Sequence, residues 1–270
     1  MKHYKRENLI SNIYHCYYQI NQLLTQPERE KFHSHFHDFY EILILVEGDI
    51  NAITQNKTQH LVSNELIIVP PNSYHLVIAP NSVYKRIIMH FEMDDSYTDI
   101  IQMINKITYF SSSDCPSLSK FINRFVLHYE SLSEQQFNML AEGLITELIL
   151  LICNNIKQSC TQPSTIKPLT HALLDYIDKH ITEKITLKSL SRQFNLNPNY
   201  ISFFFKEQMH IPIITYIKKK QLTHIHSELK SGNPPTQVFY KYGFTNYSNF
   251  FRIYKKTFGY PPSDTHKNDI

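Results

Sequence analysis

A short helix with a well-marked beginning, Asn197 to Met209, constrains this chain more than any other stretch. Asn197 is a favourable N-cap and Pro198 suits the first helical position, so the helix start is well defined. Helical spacing then places four apolar residues on one buried stripe: Ile201, Phe204, Phe205 and Met209. A shorter amphipathic segment capped by Thr186 precedes this helix across the tight connection Asn195-Leu196. Two helices joined in this way predict a helix-turn-helix, whose second helix enters the DNA major groove.

The same pattern occurs a second time, displaced by 48 or 49 residues along the chain. Val238 to Phe244 repeats the spacing of Leu190 to Leu196, and a second amphipathic helix follows it. Helix pairs with short turns are common in α-rich proteins, so one copy would be weak evidence. Two copies predict an all-α domain with two DNA-binding units, at about residues 187–209 and 235–258.

The second copy contains a long motif from Tyr242 to Ser263, Y-G-F-T-N-Y-S-N-F-F-R-I-Y-K-K-T-F-G-Y-P-P-S. It resembles the signature of the AraC/XylS family of transcription regulators, G-F-x-x-x-S-x-F-x-R-x-[FY]-K-[KR]-x-[FY]-G-x-x-P-[ST]. The resemblance covers about Lys167 to His266. It implies a regulator that binds double-stranded DNA and catalyses no reaction, with RNA polymerase as a further candidate partner.

The resemblance also implies which side chains contact DNA. These predicted DNA-binding residues are Asn199, Ser202, Phe203, Lys206, Tyr247, Ser248, Phe251, Arg252 and Lys255. A guanidinium can bind guanine O6 and N7 together, so Arg252 is the strongest candidate for a base or phosphate contact, and the two lysines are expected at phosphates. The family often has Arg in place of Phe203. An exposed Phe can pack on a thymine methyl, which favours A/T-rich sites, and the alternative is that Phe203 turns inward.

Charge is divided unequally along the 270 residues, a length that suits two domains. Residues 167–270 hold 15 Lys and Arg against 7 Asp and Glu, a net charge of +8, whereas residues 1–166 hold 12 against 17, a net charge of −5. The basic half indicates nucleic acid as a partner, and the acidic half indicates a different one. Four cysteines without paired spacing fit a reducing cytoplasm, and neither a signal peptide nor a membrane span is expected.

Short runs of Ile, Leu and Val, separated by Gly, Asn and Pro, occupy about residues 31–91 and predict strands. The clearest are Glu41–Glu47, Glu65–Val69 and Tyr84–Phe91. Several short strands at this spacing favour a small barrel. After Tyr109 the periodicity becomes helical, with two apolar stripes that predict packing on the barrel or on a second subunit. We therefore expect a homodimer.

Two motifs in the strand region resemble the short motifs of cupin barrels: His35-Phe36-His37-Asp38-Phe39-Tyr40-Glu41 and Pro70-Pro71-Asn72-Ser73-Tyr74-His75. On one strand, a side-chain period of two would place His35, His37 and Glu41 on the same face. We expect a polar pocket for a small ligand, lined by His35, His37, Tyr40, Glu41 and His75. A metal site and a purely structural role of the histidines are the alternatives. Ordinary surface or core positions are expected for His33, His90, His224 and His226.

The sequence thus predicts an α+β fold with two domains. Residues 1–110 form a cupin-like sensor barrel, residues 111–157 a helical dimerisation segment, residues 158–168 a linker, and residues 169–268 the DNA-binding domain. The predicted function is a cytoplasmic, sequence-specific transcription regulator that is controlled by a small effector and needs no metal or cofactor. One alternative is a metal-dependent cupin enzyme with a DNA-binding tail, and another is a regulator without any ligand.

Overall fold

The N-terminal half is built from antiparallel strands, in a computed structural model that describes residues 9–21, 36–54, 58–78, 84–107, 109–113, 115–155 and 167–267. The strands are β1 (Ile10–Asn21), β2 (Tyr40–Glu47), β3 (Asp49–Thr54), β4 (Thr58–Val62), β5 (Glu65–Val69), β6 (His75–Ile78), β7 (Tyr84–Met93) and β8 (Tyr109–Ser111). A five-stranded sheet has the order β1-β7-β2-β5-β8, and a three-stranded sheet has the order β4-β3-β6. The three strands predicted most clearly, β2, β5 and β7, are confirmed.

The larger sheet is covered on both faces. Leu43 and Leu45 of β2 pack with Ile50 of the smaller sheet, so one core lies between the two sheets. Ile42 and Ile44 point the opposite way, into a core shared with helices. Successive side chains of a strand point to opposite faces, and therefore a strand buried on both faces is continuously apolar, as β2 is.

Three helices follow in this half: α1 (Thr98–Asn105), α2 (Pro116–Ser131) and α3 (Glu134–Asn155). The predicted stripes form the buried faces of α2 and α3, which belong to the same core as the outer face of the larger sheet. Within the described residues, α3 is the one helix that is long and apolar enough to cross a membrane by length and composition alone. Its burial against the sheet and its two helical neighbours is that of a core helix.

The C-terminal half is helical: α4 (Pro168–Lys179), α5 (Leu187–Phe194), α6 (Pro198–Met209), α7 (Ile213–Lys230), α8 (Pro235–Lys241), α9 (Tyr247–Phe258) and a 3-10 helix (Pro262–Lys267). One core joins α4, α5, α6 and the first half of α7, and a second core joins the rest of α7 with α8 and α9. At 1.5 Å per residue, the 18 residues of α7 span about 27 Å. Because α7 contributes to both cores, it holds the two helix-turn-helix units on one body.

The elements β3, β4 and β6 lie in the region where strands were predicted without individual bounds, whereas β1, β8 and α1 were not predicted. The strand β1 lies before the region where strands were expected, and it pairs antiparallel with β7 from Ile10↔Met93 to Asn21↔Tyr84. Most of the predicted linker, residues 158–166, lies outside the described residues. Pro168, the last residue of that predicted linker, is already the first residue of α4.

Candidate DNA-binding interface and sensor site

Both recognition helices, α6 and α9, begin with an asparagine cap. The side-chain oxygen of Asn197 accepts a hydrogen bond from the backbone N–H of Asn199 at 2.8 Å, and that of Asn246 accepts one from Asn249 at 2.9 Å. Such a bond satisfies one of the N–H groups that the first helical turn leaves without a partner. Each cap therefore fixes the residue at which its recognition helix begins.

The outer face of α6 presents four of the predicted contact residues. Ile201, Phe205 and Met209 are fully buried on the inner face, as predicted, whereas Phe204 of the same predicted stripe is only partly buried. The outer residues are Asn199, Ser202, Phe203 and Lys206, of which Ser202 is half-buried and the others are exposed. Phe203 is 67% exposed, so the alternative in which it turns inward is wrong.

The outer face of α9 is more basic. Phe250 and Tyr254 are buried beneath it. The predicted contact residues on this face are Tyr247, Ser248, Phe251, Arg252 and Lys255, of which only Phe251 is half-buried. The guanidinium of Arg252 donates a hydrogen bond to Asn249 Oδ1 at 3.2 Å, which keeps it on the exposed face.

Sequence reasoning missed two exposed aromatic residues in these units. Tyr200 on α6 is 48% exposed and its ring stacks on Phe204 at 5.7 Å between centroids. Tyr240 on α8 is 67% exposed. Tyr200 lies three residues before Phe203, and this i, i+3 spacing could have placed it on the same outer face.

The turns of the two units use left-handed backbone at equivalent positions, Asn195 with φ 52° and Gly243 with φ 72°. A Cβ atom on Gly243 would lie 3.0 Å from the backbone nitrogen of Lys184, which precedes the first unit. The amide nitrogen of Gln221 on α7 donates to the carbonyl oxygen of Glu183 at 3.1 Å in the same loop. The second turn is therefore packed closely against the first unit.

In the N-terminal domain, three of the five predicted ligand-binding residues meet in one buried cluster. Glu41 Oε2 lies 3.6 Å from His37 Nε2, and Glu41 Oε1 lies 3.5 Å from His75 Nε2. The residues His37, Glu41 and His75 are only 7%, 5% and 1% exposed. His35 lies outside the described residues. The prediction that His37 belongs to the strand is wrong, because β2 begins at Tyr40.

His90 joins this cluster, although its expected place was an ordinary core or surface position. It stands opposite Glu41 in the antiparallel pairing of β7 with β2, and its Nε2 atom donates a hydrogen bond to Glu41 Oε2 at 2.8 Å. Residues 49 apart in sequence become neighbours only through strand register, and for this reason no local pattern could indicate the contact.

The charge of Glu41 depends on these histidines. Burial by itself would raise the pKa of the Glu41 carboxyl group, because the interior disfavours the charged form. The interactions with His75 and His90 outweigh burial and hold the pKa of Glu41 well below its usual value. Glu41 is therefore a buried carboxylate anion.

Tyr40 does not share the cluster, because adjacent residues of a strand point to opposite faces. Its ring stacks on Phe91 and its hydroxyl donates to Asn105 Oδ1 at 2.9 Å. Tyr40 instead lines a cavity of about 660 Å³ between the two halves of the chain, together with Glu92 and Lys230.

The residue next to His37 connects the sheets to the helical domain. Asp38 Oδ2 lies 3.4 Å from Lys230 Nζ and 3.7 Å from His226 Nε2, both on α7. Lys230 Nζ also lies 2.6 Å from Glu92 Oε1. On its other side, His226 Nδ1 lies 2.6 Å from the hydroxyl of Tyr254 in α9. A chain of polar contacts thus runs from Asp38 to the second recognition helix.

The residue next to His75 makes a second connection. The buried hydroxyl of Tyr74 donates to the carbonyl oxygen of Met209, the last residue of α6, at 2.5 Å. Tyr74 also belongs to the core of the first helix-turn-helix unit, and Phe36 packs its ring on Tyr216 there at 5.1 Å. Asp38 and Tyr74, which are adjacent in sequence to His37 and His75, therefore connect the sensor domain to both helix-turn-helix units.

Comparison with known proteins gives two family matches in the order of these two domains. The AraC-like ligand binding domain matches residues 24–149, and the helix-turn-helix domain matches residues 190–268. The uncharacterized HTH-type transcriptional regulator YobQ of Bacillus subtilis is 26% identical over 235 residues, covering 86% of this chain and 87% of that protein. The chain belongs to the AraC family of transcription regulators.

One further relative and one solved structure match different extents of the regulator. The multiple antibiotic resistance protein MarA of Escherichia coli is 26% identical over 95 residues, which cover 34% of the regulator and 73% of MarA. The crystal structure of ToxT from Vibrio cholerae aligns with 94% of the regulator and 99% of its own chain, at 13% identity and a TM-score of 0.39. The two family matches make the regulator an AraC-type helix-turn-helix protein with an N-terminal ligand-binding domain, and its relatives are regulators.

Proposed function

We propose that the regulator binds a specific DNA operator by placing α6 and α9 in two successive segments of the major groove. The observation that carries this proposal is that none of the nine predicted contact residues is buried. The basic ends of the two outer faces, Lys206 and Lys255, suit phosphates, whereas Arg252 suits a base edge. Recognition helices on one side of B-DNA sit about 34 Å apart, and α7, at about 27 Å, is a connector of suitable length.

The salt dependence of operator binding tests the proposed phosphate contacts. Lys206→Ala and Lys255→Ala should each weaken binding to all sequences and lower the slope of log K against log salt by about 1. Lys120→Ala removes an equal charge from the exposed surface of α2 and should leave the slope unchanged. Unchanged slopes in both recognition-helix variants would refute the proposed docking face.

We also propose that a small polar effector occupies the cavity beside Tyr40. Its volume of about 660 Å³ lies within the range of small-molecule sites, and Glu92 and Lys230 in its wall come from different domains. A molecule that hydrogen-bonds to Lys230 competes with the ion pairs from Asp38 and Glu92. It would therefore change the free energy that holds the two domains together.

A thermal-shift screen of small polar molecules tests this effector site. A true effector should raise the melting temperature of the wild-type regulator, shift operator affinity, and lose both effects in Tyr40→Ala. Basal operator binding should persist in that variant, because Tyr40 lies in the sensor domain. An effector that acts equally on Tyr40→Ala binds elsewhere, and a regulator without any effector would show no shift in the screen.

The proposed homodimer uses the outer face of α3. Met139 is 88% exposed and Leu150 is 46% exposed on a helix whose other face is core, and Gly143 between them has no heavy atom within 4 Å of a Cβ built there. An apolar stripe with a small residue at its centre lets two helices approach closely. Met139→Glu should give a monomer in sedimentation experiments, whereas Leu127→Glu, which changes a 63% exposed residue on α2, should not.

The proposals on cellular location, enzymatic activity and RNA polymerase follow from the class of regulator. We propose that the regulator acts on DNA in the cytoplasm and has no enzymatic activity. Contact with RNA polymerase stays a prediction of the family resemblance.

A further inference from the structure

The cluster around Glu41 brings three side chains that can bind a metal close together. Its three buried side chains offer donor atoms that all lie within 4.8 Å of one another. They come from both sheets, Glu41 from β2 and His75 from β6, with His37 just before β2. Strands of the two sheets position Glu41 and His75, and His37 is held on the short segment that leads into β2.

The spacing of the donor atoms suits one metal ion. Zinc binds imidazole nitrogen and carboxylate oxygen at about 2.0–2.2 Å, and tetrahedral geometry then separates neighbouring ligand atoms by roughly 3.4 Å. Glu41 Oε2 lies 3.6 Å from His37 Nε2, and Glu41 Oε1 lies 3.5 Å from His75 Nε2, so each carboxylate oxygen faces one histidine. One ion between these side chains would draw together donor atoms that already lie within 4.8 Å of one another.

Hydrogen bonds around the cluster orient its members as ligands. His37 Nδ1 lies 2.7 Å from the carbonyl oxygen of Phe39, which only accepts, so the proton of a neutral ring is on Nδ1 and the lone pair of Nε2 faces Glu41. His90 donates to Glu41 from the second layer. Metal-binding histidines and carboxylates in proteins are held by outer hydrogen bonds of these two kinds.

The buried charge needs compensation. A carboxylate that is only 5% exposed is costly without a positive partner. His90 donates a hydrogen bond to one carboxylate oxygen, and a metal ion is the partner that would engage both histidines and the carboxylate at once.

We propose that His37, Glu41 and His75 bind one divalent transition-metal ion of the zinc class, with His90 as the outer partner of Glu41. Two imidazoles and a carboxylate favour such ions over magnesium or calcium, which prefer oxygen ligands. Three protein ligands leave a fourth position for water. The ion would also fix the segments of Asp38 and Tyr74, whose contacts hold the helical domain. The sequence alone favoured a pocket without metal.

Metal titration of the purified full-length regulator tests this site without DNA, so its failure would leave the proposed operator binding intact. After treatment with a chelator, the wild type should take up about one Zn²⁺ per chain, and Co²⁺ should develop the visible absorption of a tetrahedral site. Zn²⁺ should also raise the melting temperature, because it binds the native state. Glu41→Gln and His75→Gln keep side-chain volume and should lose all three effects.

The control is His60→Gln, which changes an exposed histidine on β4 and should retain all three effects. Should His75→Gln fail to fold, Glu41→Gln and the wild-type melting shift decide the outcome. The proposal is overturned if the wild type takes up no Zn²⁺, or if folded Glu41→Gln binds it as tightly as the wild type. A histidine proton would then be the partner of Glu41.

Discussion

Recognition helices α6 and α9 bury similar side chains and expose different ones. Counting 49 residues between the copies, buried Phe205 corresponds to Tyr254, and Lys206 corresponds to Lys255 on both outer faces. At the centre of the outer face, however, Phe203 takes the place of Arg252. The buried positions of both copies pack against a helical core, whereas the outer positions are free to differ according to the DNA that each helix contacts.

This difference suggests a division of labour between the two units. An exposed Phe offers apolar surface to a thymine methyl, and an Arg offers paired donors to guanine. The second unit should therefore contribute most of the sequence discrimination, and the first should contribute mainly affinity. Variants of one unit, or of the sensor residue that contacts it, should therefore differ in effect from the matching variants of the other unit.

The largest effect is expected at the turns. Gly243→Asn should destabilise the regulator by about 2–4 kcal/mol, because the new Cβ meets the backbone near Lys184 and a left-handed residue other than Gly is strained. The reciprocal change Asn195→Gly should alter stability by only about 0.5 kcal/mol, since Gly accepts that backbone freely. Urea denaturation of both variants measures the difference, and equal losses would show that the two turns are equivalent.

The second-largest effect is expected on operator affinity when the charged side chain of Arg252 is removed. Arg252→Ala should cost roughly 1–3 kcal/mol in operator affinity and relax the preference at one base position. Phe203→Ala should cost less, and its loss should be similar across operator sequences. Binding titrations on the operator and on single-base variants compare the two, and a larger loss for Phe203→Ala would reverse the proposed division.

A smaller effect is expected where the sensor domain holds each unit. Tyr74→Phe removes the buried hydroxyl that donates to Met209 of α6, and should lower stability by about 1 kcal/mol. Asp38→Asn weakens the contacts that lead through His226 towards α9. If both attachments matter equally, the effector response in a reporter assay should fall in both variants. Loss of the response in only one variant would indicate that the effector controls DNA binding through the unit contacted by that residue.

The smallest effect is expected from making the units alike. Phe203→Arg should steepen the slope of log K against log salt by about 0.9, the contribution of one neutralised phosphate. The change adds a charge to a 67% exposed position, so the stability of the fold should not change. An unchanged slope would indicate that the centre of α6 does not approach the DNA backbone.

Local sequence determined the helical half of this protein. The caps, the apolar stripes and the 48- or 49-residue repeat place α5, α6, α8 and α9 because helix periodicity and capping act within a few residues of one another. The strands β2, β5 and β7 could also be predicted, because each is a local run of strongly apolar residues. The strand β1 could not, since strands take much of their stability from partners distant in sequence.

Only the tertiary structure decided the sensor site. Sequence spacing put His37 and Glu41 close together, but strand register brought His90 to Glu41, and the packing of the second sheet brought His75. Because side chains alternate between the two faces of a strand, Tyr40 points away from the cluster and lines the cavity between the domains. The sequence could name residues able to bind a ligand, because that depends on their chemistry. Which of them meet depends on long-range pairing and packing, which no local pattern encodes.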